Sequence, residues 1–234
     1  MREEQVSLAK MYCTTATRDT VGWARDEADG QVKAFVVERG TPGFTTEKMH
    51  GKTALRIMQN ALITLDDCRV PEADRLQEAN SFADTTRVLR ATRLMVAWQA
   101  AGTGRGAFEH ALAYATRRHQ FGRPIARFQL VQDLLARMLA NTTASLTMCT
   151  RLAELARAGE MREEQVSLAK MYCTTATRDT VGWAREVFGG NGVLLDHHVT
   201  RYTNDAEAIY SFEGTREINS LIVGRAITGI SAFV

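Results

Sequence analysis

The sequence predicts an α+β protein, mostly α, in which a partial β domain precedes an antiparallel four-helix bundle. Three observations carry this. Short runs rich in β-branched and aromatic residues, bounded by Gly and Pro, occur only before about residue 80. Helix formers dominate roughly 83 to 117, 126 to 157 and 162 to 187, and a fourth helix is expected over about 215 to 230. The connections between these stretches are short, which favours antiparallel neighbours packed through apolar stripes.

The first element is a puzzle. "MREEQVSLAKMYCTTATRDTVGWAR" occupies residues 1 to 25 and recurs letter for letter as residues 161 to 185. Two identical copies separated by unrelated chain are not a solenoid, whose units drift in sequence and stack contiguously. In the second copy Val166, Ala169, Cys173, Ala176, Thr180, Trp183 and Val187 recur at alternating spacings of three and four, which places them on one helix face. Val187 lies beyond the copied letters, and Gly189 and Gly190 then stop the helix, so the second copy suits its surroundings. The first copy has the same stripe from Val6 through Ala9, Cys13, Ala16 and Thr20 to Trp23, but runs into the polar turn "DEADG". It is expected to be a duplicated helical segment, helical over much of residues 2 to 18 and extended near Trp23.

Residues 26 to 80 form the partial β domain. "QVKAFVVE" at 31 to 38 and "ALITL" at 61 to 65 are its strands, "RGTPGF" at 39 to 44 is a turn, and "RVPEAD" at 69 to 74 closes the region with Pro71. Residues 81 to 234 form the C-terminal helical bundle domain.

Bulk composition limits the partners. The chain has 234 residues, 45% of them hydrophobic, enough for a sizeable core, and a formal net charge of +2 from 29 basic and 27 acidic residues. That balance gives no reason to expect nucleic acid or an anionic membrane surface. No apolar run approaches a membrane span and "MREEQ" lacks the apolar core of a signal peptide, so a cytoplasmic protein is expected. The cysteines Cys13, Cys68, Cys149 and Cys173 are read as reduced thiols.

Five motifs need weighing. "HGKT" at 50 to 53 lacks the glycine framework of a phosphate-binding loop, and "DHH" at 196 to 198 has no companion spacing of a metal site, so no metal is expected. "RRHQFGRP" at 117 to 124 ends a helix with an arginine able to meet a diphosphate, although a plain helix stop would look the same. "FGGNG" at 188 to 192 is either a helix C-cap or a close backbone approach to a ligand. "SFEGTREI" at 211 to 218 sets Glu213 among Tyr210 and Phe212, apolar surroundings that suit a general base, or else places it as a dipole partner for the next helix.

The order of these motifs is more specific than any of them. "RHQFGRPIARFQ", "FGGNG", "FEGT" and "GRAITGISAF", in that succession, resemble the C-terminal half of the acyl-CoA dehydrogenases, and most closely the glutaryl-CoA dehydrogenase branch, from about residue 26 onward. The resemblance implies the bundle architecture of that family, FAD as cofactor, and α,β-dehydrogenation of an acyl-CoA thioester. It implies Glu213 as the catalytic base that takes the α-proton, its backbone N–H helping to hold the thioester carbonyl. Arg118 would contact FAD phosphate and Gln129 would follow it in the next helix. Glu186, Val187, Phe188, Gly189 and Gly190 would form the loop on the adenine side, reaching across a dimer. Thr215 would sit beside the flavin and Phe233 would touch the cofactor. Leu89, Arg93 and Gly214 would meet the acyl-CoA. Electron-transfer flavoprotein is the implied electron acceptor and a homo-oligomer, dimer or tetramer, the implied assembly.

Two departures shape the expectation. Phe212 stands where the family usually has tyrosine, which points away from glutaryl-CoA and its decarboxylation. The N-terminal helical domain and first strands, which in relatives meet the flavin ring and wall the acyl pocket, are missing before residue 26. The first copy of the repeat is therefore expected to be a scar, joined through letters like "WAR" that precede the turn in glutaryl-CoA dehydrogenase-like proteins. The expected protein is a truncated or rearranged dehydrogenase, and the alternatives are an inactive helical oligomer or a CoA- or nucleotide-binding fragment of the same family.

Overall fold

The computed structural model describes residues 4–6, 12–13, 19–25 and 30–232. The chain divides into two compact units, Met1–Val88 and Leu89–Val234. The expected boundary at residue 80 thus falls a little early, because the first turns of a long helix belong to the first unit.

The first unit is built on antiparallel pairs. In chain order its strands are β1 (Glu4–Val6), β2 (Tyr12–Cys13), β3 (Asp19–Arg25), β4 (Val32–Glu38), β5 (Phe44–Lys48), β6 (Ala61–Leu65) and β7 (Cys68–Val70). β1 pairs with β7, β2 and β5 flank β6, and β3 pairs with β4 from Asp19↔Glu38 to Arg25↔Val32. Period-two alternation is plain in β6, where Ala61, Ile63 and Leu65 are buried while Leu62 and Thr64 are exposed. Ile63 and Leu65 join Phe35, Val37, Cys68 and Val70 in one core. Lys52 of "HGKT" donates to the carbonyl oxygens of Leu55 and Met58 and to Asn60 Oδ1, so it fastens a turn.

The duplicated segment corrects the sequence reading. Helix was expected over much of residues 2 to 18, yet Glu4–Val6 and Tyr12–Cys13 are strands, and the rest of that span lies outside the described residues. The extended conformation expected near Trp23 is found, as β3. Helix and strand propensities are weak priors that pairing partners override, and here β4, β6 and β7 offer ladders to the first copy.

Five α-helices are found among the described residues: α1 (Phe82–Arg117), α2 (Gln129–Arg157), α3 (Glu163–Phe188), α4 (Val199–Ser211) and α5 (Arg216–Thr228). Four match the expected stretches, and α4 was not foreseen. Its sequence "VTRYTNDAEAIYS" carries β-branched residues and Asn that favour helix poorly, and the buried side chains of Val199, Ala206 and Ile209 anchor it by packing.

α3 is central to the helical unit. Val166, Ala169, Cys173, Ala176, Thr180 and Val187 of the foreseen stripe are buried, with Trp183 packed beside them. Its many threonines tolerate the helix because their hydroxyls have acceptors: Thr174 and Thr180 donate to carbonyls four residues back, and Thr177 donates to Ala100 O of α1 at 2.8 Å. α1 presents a buried row of small residues at Ala97, Ala100, Ala101, Ala107, Ala111 and Ala115. A Cβ on Gly106 of that helix would stand 3.1 Å from the Tyr202 ring of α4, so glycine there permits close packing.

Candidate active site

Glu213 lies in the turn between α4 and α5, half-buried, with a left-handed φ of 57° followed by Gly214 at 82°. A non-glycine residue in that region costs on the order of 1 kcal/mol and persists only where its surroundings hold it. They do. Its carbonyl oxygen accepts from Arg93 Nε at 3.4 Å, and its carboxylate Oε2 accepts from Thr92 Oγ1 at 2.6 Å, both donors being on α1. Gly214 O accepts from Lys170 Nζ at 2.8 Å and Asn219 Nδ2 at 2.9 Å, and Asn219 Nδ2 also reaches Thr215 O at 2.9 Å. Thr215 caps α5, its hydroxyl accepting from Ile218 N at 3.4 Å. The Glu217 carboxyl is held below its ordinary range by its own backbone N–H and then by the Thr215 hydroxyl.

Glu213, Gly214, Thr215 and Arg93 of the residues named from sequence therefore meet in one cluster, and Leu89 lies one turn before Arg93 on α1. Arg93 is not open to a ligand: it is 4% exposed, and its guanidinium is engaged by Glu163 Oε1 at 3.1 Å and Ser167 Oγ at 3.5 Å as well as by the Glu213 carbonyl. Thr92, Lys170 and Asn219 were missed from sequence. Lys170 left a signal, being a lysine one residue after Ala169 and three before Cys173 on the buried face of α3.

A second cluster gathers at the other end of α1. From Thr92 to Arg117 the helix runs about 37 Å at 1.5 Å per residue. Arg118 is exposed, its backbone fixed by Arg118 N donating to Tyr114 O and Ile125 N donating to Arg118 O, each at 2.8 Å. The hairpin beyond it pairs β8 (His119–Gln120) with β9 (Arg123–Pro124), and Phe121 and Gly122 both have positive φ, as a two-residue hairpin turn requires. Gln129 opens α2 on the exposed surface.

Tyr114 links this hairpin to the "FGGNG" loop. Its ring stacks on Phe188 at 4.1 Å between centroids and its hydroxyl accepts from Asn191 Nδ2 at 2.8 Å. His197, from "DHH", sets its ring edge against Tyr114 and lies 5.5 Å from Phe188. Val187 and Phe188 are buried, whereas Glu186, Gly189 and Gly190 are exposed. Gly192 explains the tight loop, because a Cβ there would sit 2.6 Å from Arg185 O. Phe233 lies outside the described residues.

Known proteins share this fold. The family "Acyl-CoA dehydrogenase, C-terminal domain" matches residues 82–228. An acyl-CoA dehydrogenase of Bacillus subtilis is 34% identical over 207 residues, 88% of this chain and 55% of the relative. Glutaryl-CoA dehydrogenase from Mycobacterium smegmatis superposes with a TM-score of 0.92 at 34% identity, over 100% of this chain and 62% of that one. A second glutaryl-CoA dehydrogenase structure from the same organism, in complex with FADH2, gives 0.90 at 28% identity over 97% and 60%. The chain thus spans little more than half the length of these relatives. No helix among the described residues is long and apolar enough to cross a membrane.

Proposed function

Because the chain belongs to the acyl-CoA dehydrogenase family, we propose that it is the C-terminal part of an FAD-dependent acyl-CoA dehydrogenase, with Glu213 as the base. The observation that carries this is the strained Glu213 turn, held on its carbonyl, its carboxylate and its neighbouring carbonyls by donors from three helices. Rigid placement of a base against a Cα–H is what proton abstraction requires.

FAD fits the residues present. Arg118 offers an exposed guanidinium at the end of α1, and a Cβ on either Gly189 or Gly190 would meet nothing within 4 Å, so that backbone is open to a ligand. Gln129, Glu186, Val187, Phe188, Thr215 and Phe233 complete the set carried over from the resemblance, Val187 and Phe188 as the packed base of the loop. The flavin supplies the hydride acceptor. Glu213 removes the α-proton while its backbone N–H donates to the thioester carbonyl and stabilises the developing enolate. Thr92 aims the carboxylate, Gly214 lets the acyl chain approach, Leu89 lines it, and Arg93 supports the turn from below.

The length of α1 between the two clusters suits a long cofactor shared by two copies. Exposed Met95, Leu112, Leu130, Leu139 and Leu168 on the helical unit support a homo-oligomer. Electron-transfer flavoprotein is the proposed acceptor, the cytoplasm the proposed location, and an acyl-CoA the proposed substrate, with Phe212, which lacks the tyrosine hydroxyl, weighing against glutaryl-CoA.

Visible absorbance after reconstitution with FAD tests the reading. Bound flavin that bleaches with acyl-CoA is expected from the unaltered chain. Glu213→Gln should keep the colour and lose the bleaching, and Arg118→Ala should weaken flavin retention. Colour without bleaching in the unaltered chain would leave a nucleotide-binding fragment, and no colour an inert helical oligomer.

A further inference from the structure

Lys170 joins the two sides of the Glu213 turn. The residue is fully buried on α3, and its Nζ donates to Tyr210 O at 2.7 Å and to Gly214 O at 2.8 Å. Tyr210 stands in the last turn of α4, where carbonyls have no partner within the helix. Gly214 is the first residue past the carboxylate. We propose that Lys170 is a positioning residue for Glu213, its ammonium bridging the end of α4 to the far side of the turn and so fixing where the carboxylate points. This rests on Glu213 being the base of the reaction proposed above.

Packing does not account for a lysine here. An ammonium taken out of water is unfavourable unless its bonds compensate, and an apolar side chain of the same length would fill the space without that penalty. The charges facing it are mixed: Arg93 from α1 opposes it, while Glu213 in the turn and Glu217 from α5 favour it. α4 contributes the Tyr210 carbonyl at the negative end of its dipole. Burial, and after it Arg93, push the ammonium down to about 8. The ammonium therefore stands at a site that disfavours it, and its two bonds, one to the end of α4 and one to the turn, are what it does there. Arg93 holds the Glu213 carbonyl and Asn219 shares the Gly214 carbonyl, but neither reaches α4 and the turn together.

The test compares Lys170→Met, which keeps length without donors, with Lys170→Gln, which keeps two N–H donors, in the full chain. Amide hydrogen exchange at Phe212, Ile218 and Asn219, which bond on both sides of the turn, is expected to quicken at least tenfold in Lys170→Met, while α1 and α2 amides keep parental rates. Lys170→Gln should recover most of the protection. Parental protection in Lys170→Met, or loosening spread evenly through the helices, would overturn the proposal. Should Lys170→Met fail to fold, nitrogen NMR of the unaltered chain decides: scalar couplings from the Lys170 ammonium to the Tyr210 and Gly214 carbonyl carbons are expected, and a rapidly exchanging ammonium without them would refute the bridge. A third readout is deuterium uptake at the α-carbon of butyryl-CoA with FAD present. It should slow at least tenfold in Lys170→Met at unchanged flavin absorbance, with recovery in Lys170→Gln, and an unchanged rate would refute positioning. No uptake in the unaltered chain would instead overturn the dehydrogenase reading, leaving the amide exchange to judge Lys170.

Discussion

Raising the pH should stabilise this protein through Lys170, and Lys170→Met should lack that gain. The ammonium falls from 10.5 to about 8 on folding, chiefly because burial disfavours the charge. Between those values the unfolded chain binds more protons than the folded one, so stability rises with pH across that window and the penalty is fully present below about pH 8. One pKa unit corresponds to about 1.36 kcal/mol, so the full shift is worth about 3 kcal/mol. Integrated from pH 7, the gain is roughly 1 kcal/mol at pH 9 and roughly 2–3 kcal/mol at pH 10. Urea unfolding followed by helical circular dichroism at pH 7, 8, 9 and 10 measures it. Subtracting the Lys170→Met curve removes every other group that titrates. The parent should gain on the variant by these amounts, and parallel curves would show that the two carbonyl bonds outweigh desolvation and hold the ammonium at its ordinary value.

Three further outcomes follow from the same geometry. Gly192→Ala should cost about 1–3 kcal/mol, because the new Cβ would stand 2.6 Å from Arg185 O; thermal unfolding reads the loss, and an unchanged midpoint would show that the loop yields freely. Thr92→Val removes the hydroxyl that donates to Glu213 Oε2 and should cost about 1 kcal/mol while slowing α-deuterium uptake more than it weakens flavin binding; equal effects on both would deny Thr92 an aiming role. Deleting residues 1–24 should leave most of the helical circular dichroism, since α2–α5 and most of α1 lie in the second unit, whereas deleting residues 161–185 should abolish it.

What was legible in the sequence was local and periodic. The α3 stripe repeats often enough for burial to follow from spacing, and the structure buries all of it but Trp183, which packs beside the core, whereas "ALITL" was legible as a strand but not as the alternation that buries Ala61, Ile63 and Leu65. α4 was illegible because its threonines and asparagine do not favour helix, and its stability comes from Val199, Ala206 and Ile209 meeting residues distant in sequence. The site divides in the same way. Glu213 could be named from its motif, but Thr92 is 121 residues away from it in sequence and Lys170 reaches the turn 40 to 44 residues along the chain. No spacing rule joins such groups, since only the packing of α1, α3 and α4 brings them together. Arg93 shows the converse. The family resemblance implied a ligand contact for it, and its burial against Glu163 and Ser167, with its bond to the Glu213 carbonyl, makes it part of the turn's support.

The duplicated segment marks the limit of reading structure from local letters. "TVGWAR" is strand at Thr20–Arg25 and helix at Thr180–Arg185. Thr and Val suit either conformation, so the letters leave the backbone undecided. The neighbours differ. After the second copy, Val187 completes the stripe and Gly189 ends the helix at φ 56°. After the first copy, Gly30 turns the chain at φ 67° and β4 presents a partner to every residue from Asp19 to Arg25. One sequence therefore takes two backbones because burial decides in one place and ladder pairing in the other. The deletion pair separates these contributions: if removing residues 1–24 erased helicity as fully as removing 161–185, the first copy would have to support the helical unit, and pairing with β4 could not be its whole role.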